Sequence, residues 1–257
     1  MKSYLRKLKL QIQNMIHKAL PSQSDEALAR EASTFWADSS EAGKRRDHSH
    51  WRGEGQWEES KWTQMGEKNF SRFQWLCSLG ETPQKDVVSM VEWGSGGGAN
   101  ILRFSTEIST IYGVDISSPN LEECQRQVEA ANFKGFHPVN ISAETPEGCL
   151  EKIPHSLDFF LSTAVFQHFP GKQYGVKILK IAAELLRPEG LALIQIRYDN
   201  SNPKFAAKKR NYLGNAMTFT SYSIDEFWDV CKQSGFSPMA VQLNTDLNYA
   251  YYFLKKI

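Results

Sequence analysis

From Val87 onward the chain alternates short apolar blocks with longer stretches in which apolar residues recur every three or four positions. The blocks at 89–93, 111–115, 135–141, 157–161 and 191–198 read as buried strands, and the stretches 99–106, 119–131 and 176–186 as helices. Arg187-Pro188-Glu189-Gly190 reads as the stop of the third helix. Ser223-Ile224-Asp225-Glu226 has the form of a capping box and opens a helix to residue 234. Two further strands, 236–243 and 248–255, follow around an Asn-Thr-Asp turn. Repeated strand–helix units predict a parallel sheet with helices on both faces.

Ahead of Val87 the pattern changes. Leu5, Leu8, Ile12, Met15, Ile16 and Leu20 fall at helical spacing, with Arg6, Lys7, Lys9 and Lys18 on the other side. This predicts a cationic amphipathic helix over 4–20, ended by Pro21 and offering a surface for homo-oligomerisation. A second short helix starts at Ser24-Asp25-Glu26 and leads to Phe35 and Trp36. Residues 42–56 carry charge, glycine and histidine without periodicity and read as a loop. Trp57, Trp62, Phe70, Phe73 and Trp75 then follow at helix-compatible spacing through Leu79.

Composition narrows the function. The chain has 257 residues, a formal net charge of +1 and four scattered cysteines without C-x-x-C spacing. A near-neutral chain carries no global field for nucleic acid. The cysteines read as free, packed thiols of a reducing compartment, which makes the expected location cytoplasmic. No apolar run is long enough for stable membrane insertion.

The chemistry concentrates after the first strand, in Glu92-Trp93-Gly94-Ser95-Gly96-Gly97-Gly98-Ala99. Alternate glycines between a strand and a helix mark a tight turn that a ligand can approach closely. Asp115 ends the next strand at about the twenty-residue offset where a ribose-binding carboxylate belongs. An adenosine-containing cofactor is expected, and two compete. Gly94 to Ala99 also fits the dinucleotide fingerprint G-x-G-x-x-G/A. Glu92 argues against it, because a carboxylate there suits a cationic amino group better than a pyrophosphate. The Tyr-x-x-x-Lys pair of a short-chain dehydrogenase is also missing.

Glu92, Gly94, Gly96 and Gly98, with the order of elements from Val87 to Ile257, resemble the class I S-adenosylmethionine-dependent methyltransferases. The resemblance implies a Rossmann-like, seven-stranded, mostly parallel sheet with a C-terminal antiparallel hairpin, plus an N-terminal helical segment. It divides the chain into a lid or substrate platform, 1–84, and a catalytic domain, 85–257. It also implies that the glycines lie against the methionine part of S-adenosylmethionine, that Glu92 orients its amino group, and that Asp115 holds the ribose with Ile116 beside the adenine. Ser162 joins this cofactor set.

The loop after the fourth strand, Ser162 to Pro170, is where cofactor and acceptor meet in that family. His168 there is the expected general base, with His50 second, because an imidazole exchanges protons near neutral pH. Trp51, Trp57, Gln167, Arg197 and Tyr198 are the expected acceptor contacts. Aromatic faces with hydrogen-bonding groups suit a small polar acceptor, foremost the hydroxyl of a sugar or another hydroxylated metabolite. The loose similarity of 48–53 and 165–170 to bacterial sugar and polysaccharide O-methyltransferases points the same way. N-methylation of a small amine and a non-catalytic cofactor-binding module are the alternatives. No carboxylate cluster marks a divalent metal site, although Asp199 leaves one open.

Overall fold

The computed structural model describes residues 21–37, 48–53 and 57–257. The cationic helix expected over 4–20 lies outside the described residues. Seven strands form one sheet: β1 (Ser89–Trp93), β2 (Thr110–Asp115), β3 (Phe136–Asn140), β4 (Leu157–Ser162), β5 (Leu186–Arg197), β6 (Phe236–Asn244) and β7 (Tyr249–Lys256). Their order is β3-β2-β1-β4-β5-β7-β6, with β7 antiparallel to both β5 and β6. The Rossmann-like sheet with its closing hairpin is therefore present. Chain order reverses between β1 and β4, and such a switch point opens a crevice at the carboxyl ends of the strands.

Strand side chains alternate between two cores. Val91, Val114, Phe160, Ile194 and Tyr252 face α5 (Lys172–Leu185) and α7 (Ile224–Gln233). Met90, Ile111, Phe159, Leu193 and Phe253 face α2 (Glu59–Leu79), α3 (Ala99–Phe104) and α4 (Ser118–Ala130). The α7 capping box forms as its sequence demands: Ser223 accepts from the Glu226 amide while the Glu226 carboxylate accepts from the Ser223 amide.

The start of the fifth strand differs from the expected residue 191. Arg187 to Gly190 does follow the end of α5, but it lies inside β5, which starts at Leu186. Arg187 Nε donates to Asp158 Oδ1 at 2.7 Å, and Leu186 pairs with Leu157 across a register shift, so this stretch is anchored as strand. The aromatic side of α2 packs on the sheet. Phe70, Phe73, Leu76 and Cys77 of α2 share a buried core with Met90, Ile101, Phe104 and Phe159. Burying a large apolar side chain is worth roughly 1.5–3 kcal/mol, so α2 is integral to the sheet's cover. The pieces of 1–84 that reach the crevice are α1 (Asp25–Ala37) and the segment 48–53.

All four cysteines are buried and free. Among the described residues no helix is long and apolar enough to cross a membrane.

Candidate functional site

A cavity of about 910 Å³, part of it open to solvent, lies at the carboxyl ends of β1, β2 and β4. One end is built by Glu92, Gly94, Gly96, Asp115, Ile116 and Asn120. The other is built by α1, by the turn after β4, by the start of α5 and by α6 (Tyr212–Asn215), through Ala32, Trp36, His168, Phe169, Tyr174 and Tyr212. The segment 48–53 lies between them, with His48, Ser49 and His50 on the wall.

The glycines have separate duties. Gly94, Gly96 and Gly98 all have positive φ, at 78°, 51° and 86°, which an L side chain adopts only under strain. A Cβ on Gly98 would stand 2.8 Å from Cys124 Sγ, so this glycine lets α4 pack against the turn rather than lining the cavity. Every amide of the turn is already engaged. Gly94 and Ser95 donate to Val114 O at 2.7 and 3.2 Å, Gly97 to Ser49 O at 2.7 Å, and Gly98 to Ser95 O at 3.1 Å. Gly96 donates to Asp115 Oδ2 at 3.1 Å. The turn's own amides thus hold the turn together.

Gly97 shows how closely 48–53 is seated. A Cβ there would stand 2.6 Å from His50 O and 2.9 Å from Trp51 Cα. Gly97→Ala is therefore expected to lift the segment, at a cost of about 1–3 kcal/mol. Cofactor affinity should fall by a comparable amount in titration calorimetry while the circular dichroism of the sheet stays unchanged.

Asp115 is fixed by three donors: Ser117 N to Oδ1 at 2.9 Å, and Gly96 N and Asn120 Nδ2 to Oδ2. Burial raises its pKa, and these hydrogen bonds oppose the shift. Glu92 Oε1 accepts from Asn100 Nδ2 at 2.6 Å, whereas Oε2 is buried at the cavity with no partner. A lone buried carboxylate oxygen is costly, and a cationic ligand group relieves that cost.

Residues 91–194, from β1 through most of β5, match the family model described as "Methyltransferase domain". The chain carries a methyltransferase domain, and its sheet has the fold of the class I S-adenosylmethionine-dependent methyltransferases. It is an enzyme of that type, and S-adenosylmethionine is the cofactor the family implies. Solved structures share the fold. A cyclopropane synthase from Mycobacterium tuberculosis is 12% identical at a TM-score of 0.52, over 66% of this chain and 78% of that one. A SAM dependent methyltransferase from Aquifex aeolicus is 14% identical at 0.51, over 79% and 100%. The mitomycin 7-O-methyltransferase is 15% identical at 0.52, over 71% and 54%. No curated protein matches in sequence.

The methyltransferase's own residues fit S-adenosylmethionine. Glu92 Oε2, without a partner among the described residues, suits its ammonium group, and Asp115 stands rigid at the end of β2. Ile116 lines the same end, with Ile141 and Ala143. Ser162 does not line it; its hydroxyl is fully buried and donates to Trp93 O at 3.2 Å, tying β4 to β1.

Of the expected acceptor residues, the structure brings only the two histidines to the cavity wall. Gln167 is buried, its backbone carbonyl accepting from Phe219 N and Thr220 N and its side-chain amide turned to His168 rather than to the cavity wall. Arg197 turns toward the closing hairpin, donating to Leu247 O and Tyr249 OH and stacking on the Tyr249 ring. Tyr198 pairs with Tyr222 and Asn248. Trp51 Nε1 donates to Asn120 Oδ1 at 3.0 Å, and Trp57 packs edge-on against His50, so both brace the 48–53 segment from outside. Trp36 and Tyr212 stand at the wall instead. Trp36 Nε1 donates to Tyr212 OH at 2.9 Å, and Tyr212 OH donates to His168 O at 2.6 Å.

His168 Nδ1 lies 2.8 Å from Ala216 O, which fixes the tautomer with the proton on Nδ1 and Nε2 as acceptor. The Gln167 amide sits 3.2 Å from Nε2. Burial pushes the imidazole pKa down to about 4, so His168 is neutral at physiological pH. Among the described residues no group of three or more His, Cys, Asp or Glu side chains converges as a metal site.

Proposed function

We propose that the methyltransferase methylates the hydroxyl of a compact metabolite with an apolar face. One observation carries this reading. The carboxylates among the described lining residues, Glu92 and Asp115, both stand at the cofactor end, while the acceptor end offers the imidazole of His168 among aromatic rings, with His48 and His50 between the two. Among the described residues a cationic amine would find no carboxylate there, whereas a neutral hydroxyl finds proton acceptors and apolar walls. Arg197, which favoured a highly polar sugar, turns toward the closing hairpin instead, which moves the reading from sugars toward less hydrated molecules.

Bound S-adenosylmethionine supplies an electrophilic methyl group on a sulfonium. The protein's part is positioning. Glu92 and Asp115 fix the two ends of the cofactor, the 48–53 segment and α1 exclude water, and His168 Nε2 takes the acceptor's proton. A base with a pKa near 4 suffices, because a hydroxyl oxygen forming a third bond becomes strongly acidic. His50 is the second candidate for that proton.

The test is a screen with methyl-labelled cofactor over phenols, aliphatic alcohols, sugars and amines, each with and without chelator. Label in hydroxyl compounds supports the reading. Label only in amines refutes it, and loss of all turnover with chelator would assign the hydroxyl's activation to a metal ion.

A further inference from the structure

A line of buried polar side chains runs behind Glu92, and the family match does not include its outer half. Arg72 and Asn69 belong to α2, ahead of residues 91–194. Arg72 Nη1 donates to Asn69 Oδ1 at 3.0 Å, and Asn69 Nδ2 donates to Asn100 Oδ1 at 2.9 Å. Asn100 Nδ2 then donates to Glu92 Oε1 at 2.6 Å. Thr163 Oγ1 accepts from both amides, at 3.3 and 3.2 Å. Asn69, Asn100, Glu92 and Thr163 are all buried, at 4%, 5%, 2% and 8% exposure, so none can exchange its partner for bulk water.

The direction of this line is set at its outer end. An amide can turn either way, but a guanidinium has donors and no acceptor. Arg72 is itself held, stacked on the Tyr251 ring at 3.7 Å with Nε donating to Gln242 Oε1. It therefore obliges Asn69 to offer its oxygen outward and its NH₂ inward. Asn100 must then accept from Asn69 and donate to Glu92. Reversed, Asn100 would point its oxygen at Glu92 and oppose the ionised carboxylate.

Resting on the reading that Glu92 receives the cofactor's ammonium group, we infer that Asn69 is a positioning residue for cofactor binding: through Asn100 it fixes which end of an amide faces Glu92. The ionisable groups facing Glu92 are Asp115 from β2 and the Cys124 thiol from α4, with Asn100 from α3 as its hydrogen-bond donor. Asp115 opposes the ionised form, and the donated Asn100 bond is what favours it.

The test is the dissociation constant of S-adenosylhomocysteine as a function of pH, in wild type, Asn69→Asp, Arg72→Met and Glu92→Gln. A carboxylate at position 69 accepts from Arg72 and has no proton for Asn100, so the inner amide turns. Asn69→Asp should weaken binding about 10-fold or more near pH 7.5 and move the midpoint of the pH dependence upward. Arg72→Met releases the direction without imposing the opposite one and should shift both in the same sense by less; it decides the matter if the aspartate variant does not fold. Folded variants with the wild-type constant and midpoint overturn the role of Asn69 while leaving that of Glu92 intact. A wild type whose pH response survives Glu92→Gln overturns the reading of Glu92, and the inference with it.

Discussion

Affinity for S-adenosylmethionine should climb by up to about tenfold per pH unit from pH 6 to 8, and Glu92→Gln should flatten that rise. Burial pushes the Glu92 carboxyl up to about 8; the Asn100 hydrogen bond opposes the shift and Asp115 adds to it. Below that value the carboxyl is protonated and offers the ammonium group no charge, so binding must first expel a proton. Above it the charge is in place until the ligand's α-amino group, with a pKa of roughly 8, begins to lose its own proton. The optimum therefore falls near pH 8. Glu92→Gln should weaken binding there by about 10- to 100-fold, the worth of a hydrogen bond to a charged group. A ligand without the amino acid, 5′-methylthioadenosine, should show neither effect in the same titrations. The unliganded protein behaves in the opposite sense. A carboxyl whose folded pKa is raised contributes stability that is complete below its ordinary value near 4.5 and is lost as pH rises through about 8. The thermal shift produced by cofactor should thus widen over that interval.

His168→Ala should lower turnover by about 10²-fold, the low end of the general-base range, with cofactor affinity nearly unchanged. The low end is expected because an imidazole pushed down to about 4 is a weak base whose Nε2 already faces the Gln167 amide. For the same reason the turnover profile should show no inflection from His168 between pH 5 and 8. Its folded pKa is depressed below the ordinary 6.5, so the stability it contributes is present above 6.5 and is lost as pH falls toward 4. Steady-state kinetics with a saturating acceptor separate the candidates. If turnover survives His168→Ala and falls with His50→Ala, the proton goes to the 48–53 segment.

The sheet and the cofactor end were legible because each rests on a local pattern. Strands β1, β2 and β4 are short apolar blocks, and the turn at Gly94 needs positive φ that glycine supplies. Asp115 follows from its offset to that turn. The acceptor end was not legible, because contacts far apart in sequence decide it. Arg197 alternates with apolar residues on β5 and reads as facing a cleft, yet the hairpin carries Tyr249 to it, and a cation stacked on a ring satisfies it there. No local pattern marks Trp36 or Tyr212, and the docking of α1 beside α6, where Glu31 Oε2 accepts from Tyr212 N at 2.8 Å, brings them to His168. Gln195 could be read as cleft or network; its Oε1 accepts from Ala164 N at 3.2 Å and so holds the turn that carries His168. A signal for Asn69 did exist, since a polar residue one position ahead of Phe70 on the buried face of an aromatic helix requires a partner.

The account turns on what the cavity holds, and titration calorimetry of S-adenosylmethionine and NAD against wild type and Asp115→Ala tests it most directly. The predicted result is binding of S-adenosylmethionine to wild type, weakened by about 1–3 kcal/mol in Asp115→Ala through lost ribose hydrogen bonds, and no comparable binding of NAD to either protein. Equal affinity for NAD, or an Asp115→Ala variant that binds S-adenosylmethionine as tightly as wild type, would contradict it.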